Sequence, residues 1–194
     1  MNLLKKWSNN YVEAGCDEVG RGCLCGPVVA AAVIVGDDFM QNYVNDSKKV
    51  NKAKRLDMDQ YIKENALDFA ISALDAHFID THNILRSSIH AMHLSLDKLK
   101  IRPELILVDG NRFYPYNFIP HQCIIKGDSK FLSIAAASIL AKNYRDQLMM
   151  QLHEEYPQYG WNRNMGYATM EHREALKKFG PTPYHRKSFR LDYE

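Results

Sequence analysis

The chain predicts a mixed α/β fold, a five-stranded sheet flanked by helices. Three observations carry this: five apolar runs of strand length, helical periodicity between and after them, and the order strand, strand, strand, helix, strand, strand, helix, in which the first three strands come early and largely without long crossovers. At 194 residues and 46% hydrophobic, the chain is long enough for one well-filled core. Residues 1–194 are therefore expected to form a single domain, with about 160–194 as a helical, basic C-terminal extension. No internal repeat, low-complexity segment or linker interrupts it.

Residues 11–16 and 27–35 are rich in Val, Ala and Ile, and the glycines and Pro27 between them suit a turn joining two strands of one sheet. A polar, lysine-rich stretch then predicts a helix from about Lys52 to Lys63, before a third strand over Leu67 to Leu74. Ile84, Leu85, Ser88, Ile89, Met92, Leu96 and Leu99 recur at helical spacing, with Asp80 or Thr81 as the expected N-cap and Pro103 as the stop. Glu104 to Gly110 reads as a fully buried strand and Gln122 to Gly127 as another. Ser133 to Tyr156 reads as a long helix whose first two turns are apolar all round, and Thr169 to Phe179 as a shorter one closed by Gly180 and Pro181.

Lys+Arg number 25 against 23 Asp+Glu, so global charge does not mark a nucleic-acid binder. Local clustering does more. From Glu171 to Arg190 six Lys/Arg face two acids, and Lys48, Lys49, Lys52, Lys54 and Arg55 form a second basic patch. Cys16, Cys23, Cys25 and Cys123 lack paired CxxC spacing, which argues against a four-ligand zinc site and for reduced thiols. MNLLKKWSNN has no apolar core of signal-peptide length, and no stretch is apolar enough to span a bilayer. The expectation is a cytoplasmic protein, monomeric and without a membrane partner.

Charge sits where the pattern calls for buried strands. Asp17 and Glu18 end the first strand, Asp109 ends "LILVDG", and Asp128 follows "CIIKG" at the start of the long helix. Strand ends in α/β sheets are where ligand sites are built, and carboxylates crowded there repel unless a cation neutralises them. Such oxygen-rich sets suit Mg²⁺ or Mn²⁺ rather than zinc. Each acid also has a plainer reading: Asp128 as an N-cap, Asp109 as a turn residue before Gly110. Because adjacent strand residues point to opposite faces, Asp17 and Glu18 are expected to share a site only if the strand ends or bulges there, which Gly20 and Gly22 favour.

"CDEVGRG" (16–22), "NDSKK" (45–49), "LVDGN" (107–111), "KGDS" (126–129), "IAAASILAKNYRD" (134–146) and "GYATMEHREALKKFGPTPYHRKSF" (166–189) together resemble the ordered motifs of bacterial type 2 ribonuclease H. The resemblance implies a ribonuclease H-like fold, divalent metal, and endonucleolytic cleavage of RNA in an RNA/DNA hybrid or at a single ribonucleotide embedded in duplex DNA. It also implies a role in removing misincorporated ribonucleotides and RNA primers. By it, Asp17, Glu18, Asp109 and Asp128 match the family's metal-binding catalytic acids. Two Mg²⁺ or Mn²⁺ ions roughly 4 Å apart suit in-line phosphodiester displacement, giving a 3′-hydroxyl and a 5′-phosphate.

Gly20, Arg21 and Gly22 match the family's substrate-reading loop, and Tyr167 a tyrosine that packs on the sugar beside the ribonucleotide. The 2′-hydroxyl is both donor and acceptor, so main-chain groups at close range distinguish ribose from deoxyribose. Lys48 and the C-terminal basic cluster are expected phosphate contacts. His172 and His185 lack ligand spacing and read as structural or phosphate-proximal. The chain departs from the family pattern at Met165, where a lysine is expected, and at Cys23 and Cys25, which read as packing residues.

Two rival readings remain. Val19 to Gly26 nearly matches a dinucleotide-binding fingerprint, but that motif needs a helix at the glycines, whereas "PVVAAAVIV" reads as a strand. The other rival is a hybrid-binding module that does not cut, which the presence of all four acids opposes.

Overall fold

The structure is a computed structural model that describes residues 3–8, 10–40, 44 and 52–191. Among the described residues five strands form one sheet in the order β3-β2-β1-β4-β5. They are β1 (Glu13–Val19), β2 (Val28–Ile34), β3 (Asp68–Leu74), β4 (Leu105–Asp109) and β5 (His121–Ile124). The sheet is mixed, as expected: β1 and β2 pair antiparallel, β2 and β3 antiparallel, β1 and β4 parallel, β4 and β5 parallel.

Helices cover both faces. These are α1 (Lys52–Asn65), α2 (Ala76–His82), α3 (Ile84–Asp97), α4 (Leu132–Glu155), α5 (Trp161–Asn164) and α6 (Met170–Phe179). On one face Val29, Ala31 and Val33 of β2 pack against Leu132 to Ala141 of α4 and Met58 and Ile62 of α1. On the other, Ala14, Cys16, Ala30, Ala32, Ile106 and Val108 pack against Ile89, Met92 and Leu96 of α3. The period-2 alternation of β1, β2 and β4 thus feeds two cores, which is why these strands read as continuous apolar runs.

Several boundaries differ from the sequence reading, each for a local reason. The helix expected from Ile84 to Leu99 is α3 preceded by a separate α2, because Asn83 at φ 63° breaks the chain and caps α3 by accepting the Arg86 amide. Asn83 thus takes the capping place expected of Asp80 or Thr81, while Asp75 caps α2 by accepting the Phe78 amide. Asp80 instead accepts the amides of Lys187 and Ser188 and the Ser188 hydroxyl, tying the C-terminal segment to α2. The helix α3 also stops at Asp97, short of Pro103. The turn Gly127–Ser129 is a separate 3₁₀ turn, and Phe131 occupies the N-cap of α4, so Asp128 is no helix cap. Thr169 caps α6 as a hydroxyl N-cap should.

Sheet and helix approach closely at Gly15 of β1. A methyl there would collide with the main chain of Ser133 and Ile134 in the first turn of α4. Main-chain atoms cannot swing aside as a side chain can, so the pairing of β1 with α4 needs this glycine. Gly15→Ala is expected to lower the unfolding free energy by about 1–3 kcal/mol, read from urea denaturation followed by circular dichroism.

Candidate metal and nucleic-acid site

β1 continues through both of its acids without a bulge. Asp17 pairs with Ala31, Glu18 with Ala30 and Val19 with Val29. The expected break lies elsewhere, because the parallel ladder to β4 stops at Cys16–Val108. Beyond that point the sheet opens between β1 and β4. Asp17 falls on the α4 face with Ala31, and Glu18 on the α3 face with Ala30, yet both flank the same gap.

Asp109 closes β4 at this gap, and its Oδ1 accepts the Gly127 amide at 2.6 Å. That bond ties the 3₁₀ turn carrying buried Asp128 to the end of β4. One cleft of about 330 Å³ is lined by Asp17, Glu18, Asp109 and Asp128 together with Arg55, Ser138 and Lys142. A neighbouring cleft on the α3 side shares Glu18 and Asp109 and adds Arg21, Asn111 and Arg112. All four acids singled out from the sequence are therefore brought together.

Their electrostatics follow from the crowding. Burial, then Glu18, then Asp109 push the Asp17 carboxyl well above the usual carboxylate range. Burial also raises Glu18, opposed by the Arg21 guanidinium, whose Nη1 lies 3.1 Å from Glu18 Oε1. A hard, all-carboxylate donor set fits a divalent cation such as Mg²⁺ or Mn²⁺, whose charge offsets the crowding of like charges.

Cys25, His172 and His185 form a second grouping of possible ligands, their donor atoms within 4.8 Å of one another. It does not fit a metal. The Thr182 amide donates to His185 Nδ1, which places the His185 proton on Nε2, 3.1 Å from His172 Nε2. His172 Nε2 also accepts from Trp161 Nε1, and its Nδ1 donates to the Tyr167 carbonyl. Each ring spends its single lone pair within this network, so both histidines are neutral and structural.

Next to the acids, Gly20 (φ 94°) turns the chain, and a methyl there would collide with the Arg145 side chain and Pro27 carbonyl. Gly22 has open space above it and Arg21 is exposed. Half-exposed Tyr167 bridges Cys23, and the Leu24 amide donates to the Gly166 carbonyl, so Tyr167 sits against this loop. Lys48 lies outside the described residues. Cys23 and Cys25 are buried, and burial raises both thiols, in keeping with packing roles.

The basic tail needs a correction. Arg186 is fully buried rather than solvent-facing, its Nε and Nη2 donating to the Gly26 carbonyl and Nη1 to the Arg21 carbonyl. Arg145, also buried, donates to the carbonyls of Pro27, Met165 and Cys25. Together they staple residues 21–27 to α4 and the C-terminal segment. The sequence signal for Arg186 was ambiguous, because an arginine in a basic run reads as solvated. Met165 takes φ 49° and packs against the apolar C-terminal cluster, which explains an apolar residue there.

Two predictions follow from this geometry. Arg186→Met leaves buried carbonyls without donors and should destabilise the protein by about 3 kcal/mol in urea denaturation, with Arg186→Lys recovering only part. The second concerns pH. Burial, then His172, lower the His185 pKa to about 4 from an unfolded value of about 6.5. Between these the unfolded chain takes up a proton that the folded one does not, so stability is complete above pH 6.5 and falls as pH drops toward 4. Thermal melts across this range should show a shallower pH slope for His185→Asn than for the parent chain.

A ribonuclease HII family model matches residues 14–193. The chain is 52% identical over 189 residues to ribonuclease HII of Bacteroides thetaiotaomicron, covering 97% of this chain and 94% of that one. Among solved structures, ribonuclease H2 of Pyrococcus horikoshii OT3 superposes with a TM-score of 0.79 at 24% identity, covering 92% and 94% of the two chains. Bst-RNase HIII in complex with Mn²⁺ superposes with a TM-score of 0.71 at 22% identity, covering 92% of this chain and 67% of that one. With the sheet, the gap between β1 and β4 and the four converging acids in place, the chain belongs to the ribonuclease HII family, whose members are metal-dependent endonucleases acting on the RNA of RNA/DNA hybrids.

Proposed function

We propose that Asp17, Glu18, Asp109 and Asp128 hold two divalent cations, Mg²⁺ or Mn²⁺, and that the chain, acting as a monomer, cuts both RNA/DNA hybrids and duplex DNA on the 5′ side of a single ribonucleotide. The observation that supports this most is the convergence of all four carboxylates on one cleft at the open end of the sheet. A neighbour's complex with Mn²⁺ supports the choice of ion class. Bound there, the cations supply water activation and neutralise charge on the leaving oxygen.

The protein's own residues do the rest. The tie between Asp109 and the Gly127 amide keeps the Asp128 turn in register with β4, so the donor oxygens need little rearrangement on binding. Arg21, exposed and paired with Glu18 in this structure, would be placed to donate to a phosphate oxygen of a strand lying over the acids. Main-chain groups at Gly20 and Gly22 meet the ribose 2′-hydroxyl, and the open space above Gly22 admits a strand at close range. Tyr167 packs on the adjoining sugar, favouring an RNA-to-DNA junction. Lys48 and the exposed cations of the tail, Lys177, Lys178 and Lys187 among them, contact phosphates without reading sequence.

The test is cleavage of a DNA duplex carrying one ribonucleotide, with Mg²⁺, with chelator and with Asp109→Asn, mapping strand ends. The expected result is a cut 5′ of the ribonucleotide leaving a 3′-hydroxyl, absent in both controls, with Asp109→Asn lowering the rate by at least about 10³-fold. Duplex binding without any cut would instead favour a hybrid-binding module. Tyr167→Ala should reduce junction cleavage more than cleavage of a long hybrid.

A further inference from the structure

Among the described residues, Arg55 and Lys142 line the cleft that holds the four carboxylates, and both are paired outside that set. Lys142 and Arg55 both turn to Asp146, one helical turn beyond Lys142 on α4. Asp146 is buried, and each of its oxygens takes one cation: Oδ2 accepts Arg55 Nη2 at 2.7 Å, and Oδ1 accepts Lys142 Nζ at 3.0 Å. Arg55 is held further by Asn143, whose Oδ1 accepts Arg55 Nε at 2.7 Å and whose Nδ2 donates to the Arg55 carbonyl at 2.8 Å.

This arrangement answers a problem that the acid cluster creates. A lysine on the wall of a cleft containing four carboxylates would ordinarily settle among them, because an ammonium gains most where negative charge is densest. Its three donors would then occupy the oxygens that a divalent cation needs. Lysine is the more mobile of the two cations, since its flexible stem carries a point charge, whereas the guanidinium of Arg55 is gripped at two places, by Asn143 and Asp146. A carboxylate one turn away on the same helix offers Lys142 a partner at little conformational expense.

We propose that Asp146 is a positioning residue: it holds Lys142 and Arg55 on the wall of the cleft and thereby keeps these two cations off the carboxylate oxygens that divalent cations need. The proposal rests on the reading of those carboxylates as cation ligands. It predicts a coupling of definite form between Asp146 and Lys142. With Asp146 present, removing the Lys142 charge changes little, because the ammonium is already held away. With Asp146 neutralised, Lys142 moves into the cluster and competes with the cation, so its removal then matters greatly.

The experiment is calorimetric titration of Mn²⁺ into the substrate-free protein, comparing the parent chain, Asp146→Asn, Lys142→Met, the double variant and Asp109→Asn. Asp146→Asn is expected to weaken Mn²⁺ binding on the order of tenfold, Lys142→Met to change it less than about threefold, and the double variant to recover most of the loss. Equal effects of Lys142→Met in both backgrounds would mean that the charges act additively through space, and would overturn the positioning role. Asp109→Asn separates the two levels: if it binds Mn²⁺ as tightly as the parent chain, the ligand reading itself fails and the positioning role goes with it.

A measurement on the parent chain guards against misfolding of the Asp146 variant. The side-chain ¹⁵Nζ resonance of Lys142 should move little when Mg²⁺ is added, because the ammonium stays with Asp146. A large displacement on Mg²⁺ binding would show that Lys142 had occupied the cluster, contrary to the proposal.

Discussion

Mutual repulsion among carboxylates is the constraint around which this structure is arranged. Burial raises the proton affinity of the two acids of β1, and neighbouring carboxylates raise it further, Glu18 and Asp109 at Asp17, and Asp109 at Glu18. Left to itself, such a set would splay toward water. It is held by rigid attachments: β1 lies between two paired strands and against α4 at Gly15, and the Asp109 side chain is tied to the Gly127 amide. Each carboxylate therefore enters from an element with little freedom to retreat, and the unfavourable proximity is borne by core packing on both faces of the sheet.

The cations around the site obey a complementary rule. Those that belong to the scaffold are satisfied by main-chain carbonyls, as Arg145 and Arg186 are, or by Asp146, as Arg55 and Lys142 are. Arginine suits the first task, since its planar fork reaches several carbonyls at once, while burial lowers the Arg186 pKa only to about 10, leaving it charged at neutral pH. The C-terminal segment thereby becomes part of the site. Its buried cluster of Tyr159, Trp161 and Leu176, with the neutral histidine pair, presses Tyr167 against the loop of residues 20–26.

Much of this was legible in the sequence. The order of elements along the chain, the five-stranded count and the placing of four acids at strand ends follow from apolar periodicity interrupted by charge, and the ordered motifs favoured a shared site over the plainer cap and turn readings of Asp128 and Asp109. What was not legible depended on relations between distant segments. Nothing local distinguishes Asp80, which captures the tail, from an N-cap, nor Arg186 from a solvated cation. The break at Asn83 was missed because the apolar spacing of α3 begins directly after it and α2 carries too few turns to show its own period. The expectation that β1 ends or bulges at its acids was a sound inference from side-chain alternation, and β1 does end one residue beyond Glu18, but the inference assumed an intact sheet on both sides of β1.

The opening of that sheet removes the assumption and accounts for the shape of the site. Side chains on opposite faces of a strand are kept apart by neighbouring strands, so two adjacent acids meet only where a neighbour is missing. β4 ends at Asp109 while β1 runs on to Val19, and over those residues β1 is paired only on the β2 side. Asp17 from the α4 face and Glu18 from the α3 face can then reach around the same edge, and Asp109, standing at the edge, lines the clefts on both sides. A single strand shorter than its partner thus converts the period-2 alternation of β1 from an obstacle into the means of bringing carboxylates together from two sides. Extending β4 past Asp109 would close the gap and separate Asp17 from Glu18, however well each residue were preserved.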